Sequence, residues 1–213
     1  MNEKTQKICY IIGAGPWEKP DGRYFAPKDG DCVIAADGGL RYLNEVGVSL
    51  DLIVGDFDTL GYVPVGENVV RLNVMKDWTD TFIAMEKGID LGFEVFLFFG
   101  CLGGKLEHTM ANLQHLVWLV ERGLEGWMFD GRVWVTAVCG AKSVLLPARD
   151  SGMVSVFSMS QKAEGVTIQG LKYALQDGEL TNAFPLGVSN EFVGERAEIG
   201  VKKGTLLVMI EAV

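Results

Sequence analysis

Short apolar runs alternate with helical periodicity through the first half of the chain. KICYIIGAG reads as a strand entering a glycine turn, and CVIAADGG as a second strand ending at Asp37. GLRYLNEVG sets Leu40, Leu43 and Val46 at helical spacing and stops at Gly47. DLIVGDFD and ENVVRLNV read as a third and a fourth strand, and DTFIAMEKGIDLG as a helix capped by Thr79 or Asp80. EVFLFFG is apolar on both faces, as the centre of a parallel sheet requires. HTMANLQHLVWLVERG carries Met110, Leu113, Leu116, Val117 and Val120 down one helix face and closes at Gly123. Alternating strands and helices of this kind predict an open, mostly parallel α/β sheet.

Beyond about residue 124 the period changes from 3.6 to 2. WMFDGRVWVTAV, KSVLLPA, MVSVFSMS, GVTIQG and the last thirty or so residues are short β-rich segments separated by turn residues. Strands at this spacing predict a β-sandwich. The expected fold class is therefore α/β plus all-β: an α/β domain over 1–124, followed by a β-sandwich domain over 125–213.

Composition narrows the function. Of 213 residues, 48% are apolar and 22% charged, a globular balance. A net charge of −9 without a dense Lys/Arg cluster argues against a nucleic-acid backbone binder. The four cysteines, at 9, 32, 101 and 139, form no C-x-x-C, and the runs around Cys9 and Cys32 predict buried free thiols. A reducing, cytoplasmic setting is expected from this usage. The first residues show no signal-peptide pattern, and no apolar run reaches the length of a membrane span, so no membrane partner is expected.

The chemistry is concentrated in carboxylates at strand ends. Asp37 follows VIAA, Asp56 and Asp58 follow DLIVG, and KDWTD supplies Asp77 and Asp80. In open α/β sheets ligands collect at the carboxyl ends of the strands. Five aspartates there would repel one another unless a cation intervened, and Mg²⁺ takes carboxylates together with phosphate oxygens. Glycines strengthen the phosphate reading. Gly38 and Gly39 follow Asp37, and GCLGGKLEH brings Gly100, Gly103, Gly104 and Lys105 to the end of the central strand. His108 stands at the start of the following helix, where it could face an anion, whereas His115 reads as a partly buried helix residue. IIGAGPWE opens like a dinucleotide fingerprint, but Glu18 occupies the third glycine position and Pro16 interrupts, which excludes nicotinamide binding.

Taken in order, AADGGLRYL, DLIVGDFDTL, KDWTDTFIAMEKG, GCLGGKLEHTMANLQHL, GLKYAL, GVSNEF and GTLLVMI resemble the thiamine pyrophosphokinase family over nearly the whole chain. The resemblance implies transfer of a pyrophosphoryl group from the co-substrate ATP to thiamine, with AMP leaving, in a homodimer that binds thiamine between subunits. It implies Mg²⁺ on Asp37, Asp56, Asp58 and Asp80, with Asp77 and Thr79 beside them, and it places Ser189 and Asn190 near the vitamin. Catalytic roles then fall to Asp56, Asp58, Asp80, Lys105 and His108. Gly38, Gly39, Gly103, Gly104 and Glu107 complete the nucleotide site. The chain departs from the family pattern Gly-Gly-Arg-x-Asp-His by carrying Lys105 and Glu107, and Thr59 replaces the serine after the Asp-x-Asp pair. Charge is kept at each altered acid or base, so retained chemistry with shifted geometry is expected. A metal-dependent nucleotide or pyrophosphate hydrolase, or a non-catalytic thiamine- or nucleotide-binding sensor, stays open as an alternative.

Overall fold

The computed structural model describes residues 6–16, 24–58, 60–72 and 77–212. Glu18, Thr59 and the Asn73–Val74 end of ENVVRLNV lie outside them. Chain order is β1 (Ile8–Ile12), β2 (Cys32–Ala36), α1 (Gly39–Val46), β3 (Leu52–Gly55), β4 (Val69–Arg71), α2 (Asp80–Asp90), β5 (Val95–Phe99) and α3 (Leu106–Glu121). Nine strands follow: β6 (Glu125–Phe129), β7 (Val133–Cys139), β8 (Lys142–Leu146), β9 (Met153–Ser158), β10 (Lys162–Gln169), β11 (Leu175–Thr181), β12 (Gly187–Glu191), β13 (Ala197–Val201) and β14 (Thr205–Glu211). The strands form a mixed ten-stranded sheet, β12-β9-β14-β7-β6-β5-β1-β2-β3-β4, and a four-stranded sheet, β11-β10-β13-β8. The chain divides into two compact units, Met1–His115 with Met128–Gly131, and Leu116–Trp127 with Arg132–Val213.

In the first unit β5, β1, β2, β3 and β4 pair in parallel. Ile11, Ile12, Ile34, Phe96 and Phe98 are fully buried on these strands. This is the doubly covered sheet that the continuous apolar runs predict. The chain steps outward from β1 through β2 and β3 to β4, and then returns to place β5 on the other side of β1. The loops after β1 and β5 therefore leave in opposite directions and open a crevice at their carboxyl ends, the usual ligand position in such sheets.

Helix α2 begins as its sequence predicts, with Thr79 Oγ1 accepting the Phe82 N–H at 3.2 Å. Helix α3 corrects one expectation. Leu113, Leu116, Leu119 and Val120 form its buried stripe together with the polar Asn112, while Met110 is exposed. At 3.6 residues per turn, Met110 lies roughly 60° outside that arc, and Val117 at its margin is only half-buried.

The second unit is antiparallel throughout its two ladders. Val154, Val156 and Val208 from one ladder share an apolar core with Val166, Ile168 and Ile199 from the other. The period-2 pattern of MVSVFSMS produces this directly, burying Val154, Val156 and Ser158 in alternation. Among the described residues, no helix is long and apolar enough to cross a membrane.

Candidate active site

The carboxyl-end crevice of the first unit is a cavity of about 560 Å³, within the range of small-molecule sites. Its lining comes from four places: the loop after β1 (Ala14, Gly15, Pro16), the ends of β2 and β3 (Asp37, Asp56, Asp58), the start of α2 (Thr79, Asp80, Thr81), and the segment from β5 into α3 (Gly100, Cys101, Gly103, Gly104, Lys105, His108, Asn112).

The acids are held by their backbones. Asp37 donates its N–H to Val54 O at 2.8 Å and adopts a left-handed φ of 45° at the end of β2. Between Asp56 and Asp58, Phe57 takes φ 67° and is 3% exposed. A left-handed backbone costs about 1–2 kcal/mol, and burying the phenyl ring returns about 1.5–3 kcal/mol. The ring thus anchors a turn that would otherwise open. The Asp58 N–H also donates to Asp56 Oδ1 at 3.3 Å.

Ligand oxygens of Asp37, Asp56 and Asp58 lie within 4.8 Å of one another. Asp37 is buried, and its Oδ1 has no hydrogen-bond partner. An orphaned buried carboxylate oxygen costs several kcal/mol by general measure, at least about 1–3 even for a neutral group. A hard cation removes that cost, and an all-oxygen donor set suits Mg²⁺. The residues present therefore fit the ion.

The rest of the cavity suits an anion. The N-termini of α2 and α3 both open on it, each carrying a partial positive charge. Gly103 and Gly104 turn the chain at φ 73° and 67°, a geometry that side chains resist. Thr109 Oγ1 donates to Gly103 O at 2.9 Å and holds that turn against α3. Lys105 and His108 are three residues apart, on one side of the first turn.

Several predicted residues stand elsewhere. Asp80 lines the cavity but is not part of the three-aspartate group, and Asp77, two residues before the cap, is exposed and outside the lining. Glu107 is exposed and also outside it, because one residue is about 100° of helix rotation from His108. Gly38 is the N-cap of α1 and Gly39 its first residue; neither is in the lining. A Cβ on Gly39 would collide with Ile12 O, so this glycine serves the approach of α1 to β1. Gly39→Ala is expected to cost about 3 kcal/mol or more, since the obstacle is backbone, and urea denaturation reads this directly.

In the second unit Ser189 is exposed on β12 with φ 59°, and its N–H donates to Ser155 Oγ at 3.1 Å. Asn190 is buried, and its amide is already committed. Oδ1 accepts from the N–H groups of Tyr173 and Glu191, both at 2.9 Å, and Nδ2 donates to Tyr173 O at 2.7 Å. Its work is to hold the Tyr173 backbone, which leaves the tyrosine ring exposed.

Sequence reasoning missed three cavity side chains able to hydrogen-bond. Cys101 is buried there and its thiol is pushed up to about 12 by desolvation, which keeps it protonated. Asn112 is buried and donates to Cys101 O at 2.6 Å. Thr81 is the third. A polar Asn on the apolar stripe of α3 was the available signal.

His115 meets Thr79, with Nε2 and Oγ1 2.9 Å apart, and its ring tilts on Phe82. Burial lowers His115 to about 4, so at neutral pH the imidazole is uncharged. The unfolded chain takes up this proton near pH 6.5, and the folded chain refuses it until about pH 4. The stability contribution is therefore complete above pH 6.5 and declines as pH falls toward 4. His115→Gln is expected to flatten that decline, measured as urea midpoints at pH 7 and pH 5.

A parallel sheet with an acidic group, two helix N-termini and a glycine turn at one rim defines an α/β protein of the phosphate-handling class. Comparison with known proteins gives the family. Residues 27–128 match the family model described as thiamin pyrophosphokinase, catalytic domain, and residues 144–206 match that of the thiamin pyrophosphokinase vitamin B1 binding domain. The chain belongs to the thiamine pyrophosphokinase family, a family of transferases acting on thiamine. It is 23% identical over 182 residues to the Bacillus subtilis (strain 168) thiamine pyrophosphokinase, covering 83% of this chain and 85% of that one. The crystal structure of a Bacillus subtilis thiamine pyrophosphokinase superposes with a TM-score of 0.83 at 22% identity, covering 97% of this chain and 99% of the other. Thiamin pyrophosphokinase from Candida albicans superposes at 0.77 with 15% identity, covering 98% and 90%.

Proposed function

We propose that this protein transfers the pyrophosphoryl group of ATP to the hydroxyl of thiamine, giving thiamine diphosphate and AMP. The observation that carries this reading is one cavity holding a partnerless buried aspartate oxygen, two more carboxylates, two helix N-termini and Lys105. The hydroxyl oxygen of thiamine bonds to the β-phosphorus while the bond from that phosphorus to the α,β-bridging oxygen breaks. The hydroxyl proton passes to a carboxylate of the cavity. Asp37, Asp56 and Asp58, with Asp80 beside them, would hold Mg²⁺, which neutralises charge on the phosphates when bound. Lys105, His108 and the N–H groups at the start of α3 bind the phosphate oxygens and stabilise the charge gathering on departing AMP. Phosphoryl transfer needs little beyond such positioning and neutralisation.

Thiamine is a cation with two flat rings and calls for a different surface. Tyr173, Phe184, Leu186 and Val188 are exposed on the second unit, and aromatic and apolar side chains of this kind suit flat rings. The proposed assembly is a C₂ homodimer with thiamine between subunits, near Ser189. The decisive assay supplies ATP and Mg²⁺ with and without thiamine. AMP and thiamine diphosphate in equal amounts, only when thiamine is present, is the expected result. AMP or ADP without thiamine would make the protein a hydrolase, and no turnover would make it a sensor. Light scattering at the assay concentration tests the dimer.

A further inference from the structure

Cys9 and Cys32 occupy partnered positions on the parallel strands β1 and β2. Neighbouring strands run about 4.8 Å apart, and a disulfide spans Cα atoms about 4.4–6.8 Å apart. Partnered residues of a parallel ladder project from the same face. The two thiols shift each other's proton affinity, Cys9 upward and Cys32 downward. By contrast, Cys101 Sγ donates to Phe99 O at 3.4 Å and Cys139 Sγ to Val120 O at 3.2 Å. All four thiols are free. The pair lies near the amino ends of its strands, away from the carboxyl-end cavity, and no step proposed above uses it.

We propose that Cys9 and Cys32 form an oxidisable dithiol that closes to a cross-strand disulfide with a hydroperoxide and reopens with a small-molecule dithiol. Cys32 is the attacking sulfur. It is 5% exposed where Cys9 is 0% exposed. Interaction with the Cys9 thiol holds Cys32 below the usual thiol range, although burial and the Asp51 carboxylate oppose this. Cys9 is pushed the other way, by its interaction with Cys32 and by burial, and acts second.

The Cys32 thiolate attacks one peroxide oxygen, the O–O bond breaks, and the second oxygen leaves as water after taking a proton. Cys32 is then a sulfenic acid. Cys9 sulfur attacks Cys32 Sγ, the S–O bond breaks, and hydroxide departs with the Cys9 proton as the second water. Two thiols and one hydrogen peroxide thus become one disulfide and two waters. Closure brings the two sulfurs of these partnered positions to about 2.05 Å. Helix α2 packs closely on this face, since a Cβ at Gly88 would stand 2.7 Å from Cys9 Sγ.

The test treats the full-length protein with hydrogen peroxide, alkylates it with N-ethylmaleimide under denaturing conditions, and maps its peptides by mass spectrometry. The expected product is a single linked peptide joining Cys9 to Cys32, two hydrogens lighter than the reduced pair and split again by dithiothreitol. Cys139 stays open to alkylation. Cys32→Ala abolishes the link and leaves Cys9 alkylatable; should that variant fail to fold, the linked peptide of the unaltered protein decides alone. Both thiols remaining alkylatable, a link to Cys101 or Cys139, or Cys32 passing to sulfinic acid without a link would each overturn the proposal.

Discussion

Asp56→Asn and Asp58→Asn are each expected to lower turnover at least about a hundredfold, the order for losing one electrostatic element of a transition state, while the fold persists. Both carboxylates belong to the group whose oxygens lie within 4.8 Å, and neither is in the apolar core. Without a cation, two charges at that separation repel by about 3.5 kcal/mol at an effective dielectric of 20. Neutralising one should therefore stabilise the metal-free protein even as it disables the enzyme. Asp37→Asn carries this furthest. Its Oδ1 is buried without a partner, and an amide at that position can donate toward the neighbouring carboxylates. Its thermal midpoint in excess chelator should rise by about 2–4 °C for each kcal/mol gained, and calorimetric titration should show Mg²⁺ affinity lost. Near-normal turnover in both single variants, or unaltered Mg²⁺ binding, would defeat the metal assignment.

Lys105→Ala is expected to raise KM for ATP tenfold or more and leave KM for thiamine within about twofold. A hydrogen bond to a charged group is worth about 1.5–3 kcal/mol, and each 1.4 kcal/mol is about a factor of ten. Lys105 precedes α3 and lines the cavity at its glycine turn. Lys105→Arg keeps the charge and changes only the donor geometry, so a loss below about threefold is expected. Glu107 separates from its neighbour here. Being exposed and outside the lining, it acts on the α3 dipole, and Glu107→Gln should cost about 0.3–1 kcal/mol of stability with kinetics unchanged. Steady-state constants with each substrate varied in turn settle both residues. An unchanged KM for ATP in Lys105→Ala would return the lysine to solvent.

The parallel half of the fold was legible because its strands are buried on both faces. Continuous runs such as VFLFF have no other stable home in a chain of this composition. The acidic rim followed from strand ends alone, since Asp37 and Asp56 come directly after buried runs and Asp58 two residues later. What escaped depends on contacts distant in sequence. The β12-β9-β14-β7 order is set by pairing between residues 31 to 78 positions apart, and no local pattern encodes it. Asn112 reads as a flaw in an apolar stripe until Cys101 O appears beside it. The motif around Asn190 says nothing of the Tyr173 backbone to which its amide bonds. Helix rotation explains Met110, where spacing was right and phase was not, and it sets Glu107 outside the cavity lining.

The loops after β1 and β5 touch through their glycines, and the contact is reciprocal. A Cβ on Gly13 would meet Gly100 O at 2.5 Å, and one on Gly100 would meet Gly13 O at the same distance. Gly15 faces Gly100 O at 2.7 Å. No partner substitution can rescue a side chain at any of the three, because the obstruction is main chain and glycine is already the smallest residue. In a saturation mutagenesis screen these positions would be as intolerant as Asp56 and Asp58, yet for reasons unrelated to phosphate or metal. Scoring surviving protein alongside activity would split that intolerant set in two, leaving the aspartates abundant and inactive and the glycines scarce.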